Sequence, residues 1–116
     1  MRAKNIVLAG LLAVLPVTVM AQKPAMDMQS QTGMSSSSQA YMSGMSNMHK
    51  SMMAAIKDPD ADKAFAKGMI EHHKGAISMA ETELKYGKDP EMRKMAEDII
   101  KAQKTEIEHM EGWLKK

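Results

Sequence analysis

The chain has 116 residues, a mass of 12.8 kDa and no cysteine, which limits it to one small domain without disulfides or thiolate metal ligands. Its 16 basic and 14 acidic side chains give a formal charge of +2. Arg2 and Lys4 at the extreme N-terminus account for that excess, so the rest of the chain is near neutral and lacks the net basic face that a nucleic-acid binder needs.

The first element is "MRAKNIVLAGLLAVLPVTVMA", residues 1–21. A basic start, an apolar run from Ile6 to Val19, and Val19 and Ala21 at the −3 and −1 positions of a cut after Ala21 read as a cleavable secretory signal. The apolar run is short for a membrane span, and Pro16 interrupts it. Export to a bacterial periplasm is the expected destination, with no membrane span in the mature form. Residues 22–40, "QKPAMDMQSQTGMSSSSQA", are small and polar and read as a flexible Met/Ser-rich leader.

From 41 to 56, "YMSGMSNMHKSMMAAI" repeats methionine at helical spacing and predicts a short N-terminal helix. Asp58-Pro59-Asp60 predicts the start of a longer helix, with Asp58 as its cap, running to about Tyr86 and stopped by Gly87. Asp89-Pro90-Glu91 predicts the start of the last helix, running to about residue 114. The short connection at Gly87 makes these two an antiparallel hairpin. A helical wheel assigns Phe65, Met69, His73, Ala76, Ile77, Ala80 and Leu84 to the inner face of the first, and Met92, Ala96, Ile99, Gln103, Ile107, Met110 and Leu114 to that of the second. Small residues on the first should admit the second closely. Gln103 requires a polar partner, for which His73 is at a suitable height. Two helices bury little surface. The 41–56 segment is expected to supply a third, and pairing of two chains would complete a four-helix arrangement.

Methionine carries the chemical signal. There are 15, and all but Met1 and Met20 follow the predicted cut. Methionine fills cores, but thioethers also bind Cu(I) or Ag(I) well and hard cations poorly, and imidazole accepts copper too. Each of the four histidines, His49, His72, His73 and His109, lies next to or within one turn of a methionine. Met69, His72, His73 and Met79 lie on neighbouring turns and are the leading candidate ligands. Met110 and His109 come from the opposite strand of the hairpin, with Met110 about level with Met69. Met45, Met48, His49, Met52 and Met53 form a second candidate cluster. Adjacent histidines on a helix diverge by ~100°, so His72 and His73 should serve different places. Glu106 is a candidate to orient an imidazole. The spacing is neither that of a zinc protease nor that of a Cys/His zinc site. Taken singly, a buried histidine is more often satisfied by hydrogen bonds, and a methionine is more often packing.

"FAKGMIEHHKGAISMAE" followed by "GKDPEMRKMAEDIIKAQKTEIEHMEGWL" resembles the domain of unknown function 305 family, in particular its exported copper-binding-like members, over about residues 60–114. The shared positions are Met69, His72, His73, Ala76, Met79 and Ala80, then Ile99, Gln103, Glu106, Ile107, Met110, Trp113 and Leu114. The resemblance implies an all-α, ferritin-like or four-helix-bundle fold and periplasmic copper binding, with the His-His motif and the methionines as ligands. His109 stands outside that pattern and rests on local chemistry alone.

The expectation is therefore an all-α domain over 41–116, a helical hairpin plus a shorter N-terminal helix. It would bind Cu(I), with Cu(II) or Ag(I) as possible cargo, for metal sequestration, tolerance or transfer to a copper-efflux partner, without catalytic turnover. The rival expectation is a metal-free helical protein–protein interaction module whose methionine-rich faces form a homodimer or grip an apolar partner.

Overall fold

The computed structural model describes residues 33–116. The expected signal, residues 1–21, and the leader up to residue 32 lie outside the described residues. Within them the chain is all-α: α1 spans Ser36–Ala55, α2 Ala61–Tyr86 and α3 Pro90–Leu114. No helix among the described residues is long and apolar enough to cross a membrane.

The helix starts follow from side-chain oxygens that satisfy free backbone N–H groups. Ser35 accepts from Ser38 N at 3.1 Å, so α1 begins at Ser36, earlier than its methionine period suggests. A serine run that reads as leader by composition is also good capping chemistry. Asp60, not Asp58, caps α2 by accepting from Lys63 N at 2.9 Å. Asp58 instead accepts from Asp60 N and pairs with Lys67 at 2.6 Å; that lysine bond is the first cause of its carboxyl being held below the usual carboxylate range. Asp89 caps α3 as expected, accepting from Met92 N at 2.9 Å with Pro90 in the first turn. Gly87 closes α2 in an extended conformation, φ −72°, rather than a left-handed one. The hairpin turn is tied by Arg93, whose Nη1 donates to the carbonyls of Leu84 at 2.8 Å and Gly87 at 3.1 Å.

The three helices form a bundle in which α2 packs against both α3 and α1. The two contacts use different flanks of α2. Toward α1 the chain approaches where side chains are missing: a Cβ on Gly68 would stand 3.2 Å from Ile56 Cγ2, one on Gly44 would stand 2.6 Å from Ser78 Oγ, and one on Gly75 would collide with Met48 along its length. The glycines of α2 therefore seat α1, while the small residue that admits α3 is Ala80. Toward α3 lie buried His73 and Ala80 of α2, and buried Ala96 and Ile107 of α3. At ~100° per residue these two flanks lie roughly 160° apart on α2. The helices make a layer with two broad faces.

Helical phase then sorts the remaining side chains. One face carries Lys67, Lys74 and Glu81 of α2 and Glu97, Lys101 and Lys104 of α3, all exposed. The other carries Tyr41, Met45, His49 and Met52 of α1 with Ile56 just past its end, Phe65, Met69, His72, Ala76 and Met79 of α2, and Met92, Met95, Ile99, His109 and Trp113 of α3. Phe65, Met69, Ala76, Met92 and Ile99, all assigned to the hairpin interior, belong to this open face; Phe65 is 67% exposed and Met92 41%. On α2 the reason is that the helix has two neighbours, which turns its contact with α3 away from the centre of its apolar stripe. Among the described residues no large side chain is fully buried, and the apolar core is Ala66, Ile70, Ala80, Ala96 and Ile107.

Gly75→Ala should push α1 outward. A methyl there overpacks Met48, at a typical cost of about 1–3 kcal/mol, against a helix-propensity gain of about 1 kcal/mol. Hydrogen exchange should show α1 amides losing protection while α2 and α3 keep theirs; unchanged protection in α1 would contradict this packing.

Candidate functional site

The open face of the hairpin contains two depressions. The one far from the turn is lined by Phe65, Met69 and His73 of α2 and by Thr105, Glu106, His109 and Met110 of α3. It gathers four of the expected ligands, Met69, His73, His109 and Met110, from two helices. His73 is buried, and its Nε2 is hydrogen-bonded to the carboxylate of Glu106, which is itself well exposed. An ionised carboxylate only accepts, so Nε2 carries the proton in this pair. In the neutral ring the lone pair is then on Nδ1, which has no hydrogen-bond partner. The carboxylate fixes the ring's tautomer and orientation, the arrangement commonly found behind metal-binding histidines. Gln103, the partner expected for His73, is not the residue bonded there; its Oε1 is also buried without a partner. The ionised carboxylate one turn further along makes the stronger bond to imidazole.

This donor set suits a soft cation better than a hard one. Among the described residues no three His, Asp or Glu side chains converge as metal ligands would. Thioether sulfurs beside imidazole are what the depression offers.

His72 does not line it. It lies exposed beside His73, ring centroids 6.2 Å apart and planes at 64°, so the pair diverges as adjacent helical residues must. Met79, its expected companion, lies in the second depression near the turn, lined by Tyr41, Ala76, Met79, Ala80, Glu83, Met92, Met95, Ala96 and Ile99. Three thioethers meet there without an imidazole. Met92, assigned by the wheel to the hairpin interior, and Met95 are 41% and 49% exposed and line this depression. Their 3.5-residue spacing with Ile99 was the available signal. Tyr41 reaches across from α1, its hydroxyl donating to Glu83 Oε2 at 3.5 Å. Burial, and then the Glu83 charge, raise the phenol's pKa above its ordinary value.

The structure divides the α1 cluster by exposure. Met48 is spent on packing against Gly75, in a depression it shares with Gly44 and Ser78. Met45, His49 and Met53 are exposed and Met52 is half-buried. They lie along one helix surface.

The family model described as "Domain of unknown function (DUF305)" matches residues 11–114. An "Uncharacterized protein L153" of Acanthamoeba polyphaga mimivirus is 42% identical over 53 residues, 46% of this chain and 35% of that relative. The chain thus matches about a third of the length of this curated relative.

Glu106→Ala should strand the buried Nε2–H of His73 and lower stability by about 1–3 kcal/mol. Glu106→Gln, which keeps an acceptor, should recover most of that loss. Urea unfolding of the two variants checks it, and an unchanged stability in Glu106→Ala would mean that the bond to His73 contributes nothing.

Proposed function

The chain belongs to the DUF305 family, and from that premise we propose that it is a helical protein–protein interaction module that works through its methionine–histidine face. The observation that carries this reading is where the large apolar side chains stand. Those that would normally build a core are on the surface instead, and the buried residues are mostly small. Contiguous apolar patches beyond a few hundred Å² mark interaction sites on folded proteins. Flexible, polarisable methionine adapts to an apposed apolar surface better than branched side chains do. An apolar two-helix groove with anchors on successive turns is the usual receptor for another helix.

The test is site-specific photo-crosslinking of the full chain in cells. A photoreactive residue at position 79, on the proposed face, should yield a protein adduct. The same residue at position 81, on the charged face, should not, and a metal chelator should change neither result. Absence of adducts from position 79 would sink this reading.

A second reading is favoured by one specific arrangement, the convergence of Met69, His73, His109 and Met110 with Glu106 holding the far side of the His73 ring. In it the domain takes up Cu(I), or Ag(I), in the compartment to which its expected signal directs it, the periplasm. It would then sequester the ion or pass it to an efflux partner. Thioethers need no deprotonation, so uptake should vary little with pH once imidazole is neutral. Competition with a chromophoric Cu(I) chelator under anaerobic conditions tests it. Met69→Leu with His73→Ala should weaken Cu(I) binding by at least about tenfold, while His72→Ala should do much less. Cu(I) should also raise the melting temperature where equal zinc does not. Full retention of the ion by the double variant removes the assignment.

A further inference from the structure

We propose that the occupant of the methionine–histidine face is a second copy of this chain, the two layers packing face to face about a twofold axis. This deepens the docking function proposed above and rests on it. Three observations lead to it.

The first is periodicity. Phe65, Met69, His72, Ala76, Met79 and Glu83 recur on α2 at alternating steps of four and three, and Met92, Met95, Ile99, Ala102, Glu106 and His109 do so on α3. A stripe at 3.5-residue spacing is the seam by which one helix packs lengthwise along another. Here two such seams lie side by side, on helices of 26 and 25 residues. A surface built this way fits a flat pair of helices of the same length better than a loop or a rounded domain. Its own duplicate has that shape, and stacking two hairpins gives the four-helix section of a bundle.

The second is charge. The face carries no lysine or arginine among its stripe positions on any of the three helices. Its two carboxylates are already bonded within the chain, Glu83 to Tyr41 and Glu106 to His73. A duplicate would therefore meet no unpaired like charges. A nucleic acid, an anionic membrane or a highly charged protein would find nothing to pair with, because the lysines lie on the opposite face.

The third is area. Met45, Phe65, Met79, Met92, Met95 and Trp113 are each between about two-fifths and two-thirds exposed. Taking roughly 200 Å² as the surface of a large side chain, they leave about 600 Å² in water. The half-buried Met69, Ile99 and Met110 raise that toward the ~800 Å² per partner of a stable interface. A twofold pairing buries the same patch on both copies.

Sedimentation equilibrium of the purified chain, in the presence of a metal chelator, should give twice the monomer mass at micromolar concentration. Met79→Glu and Met95→Glu should each raise the dissociation constant by roughly 30-fold or more, with helicity unchanged by circular dichroism. Lys74→Glu, on the charged face, should leave it unchanged. As a check free of mutation, peroxide oxidation of Met79 and Met95 in the native chain should slow as concentration rises. A monomer at ~100 μM, or a dimer indifferent to both glutamate substitutions, overturns the pairing. Adducts from position 79 whose mass identifies a different chain would overturn it too, while leaving the docking function intact.

Discussion

Helix α2 is gripped on two nearly opposite flanks, and at both it offers small side chains: Gly68 and Gly75 toward α1, Ala80 toward Ala96 of α3. Close approach on two sides leaves little room between the helices for anything larger. Methionine, phenylalanine and tryptophan are therefore displaced to the faces of the layer. A helix with one neighbour can turn its bulky stripe inward; α2 cannot satisfy two neighbours and do so. On α2 the small buried residues and the exposed Phe65 and Met79 thus have a common origin in the glycine and alanine spacing of that helix. For a domain of this size, which buries only a modest share of its surface, that arrangement leaves stability unusually dependent on what covers the open face.

How far the sequence discloses this structure follows the same line. The three helices, the hairpin and the Asp89-Pro90 start were legible because caps and apolar period are local signals. The start of α1 and the choice between Asp58 and Asp60 were not, since serine and aspartate serve equally in leaders, turns and caps. Phe65 was misplaced because a wheel assumes one contact direction per helix, and α2 has two; Met92, on α3, sits at the margin of that helix's single contact and stays 41% exposed. Arg93, which closes the hairpin turn on two carbonyls, gave no sequence signal beyond its charge.

The candidate site was legible in part for a geometric reason. Counting from the turn of an antiparallel hairpin fixes heights well, and it brought Met69, His73 and Met110 to one level, where the structure has them lining one depression. Height also limits what adjacent turns can share: His72 and Met79 have nearly one azimuth on α2 but stand about 10.5 Å apart along it, so Met79 lines the depression near the turn while His72 lies exposed outside both. Glu106, the candidate to orient an imidazole, does bond His73, whereas Gln103, one turn away on α3 and expected as that ring's partner, does not; the ionised carboxylate makes the stronger bond to imidazole.

The two functions proposed for this face are not independent, and their coupling follows from which atoms they share. Docking uses the whole hydrocarbon and sulfur surface of methionine and is indifferent to where each sulfur points. Coordination needs a few sulfurs turned toward one point beside the free Nδ1 of His73. Met69 lies in the metal-suited depression and also on the stripe that a second copy would cover. Whatever factor an ion held there contributes to the affinity of the copies for each other, pairing contributes the same factor to ion affinity. The sign depends on Glu106. Covering the face removes water from an exposed carboxylate bonded to a buried imidazole, which strengthens that bond as the local dielectric falls. A firmer hold on Nε2 makes the opposite nitrogen a better-oriented and more basic donor. If the rotamer of Met69 that meets a partner also leaves its sulfur facing His73, the paired state is the stronger binder, and the domain would gather soft ions best when assembled.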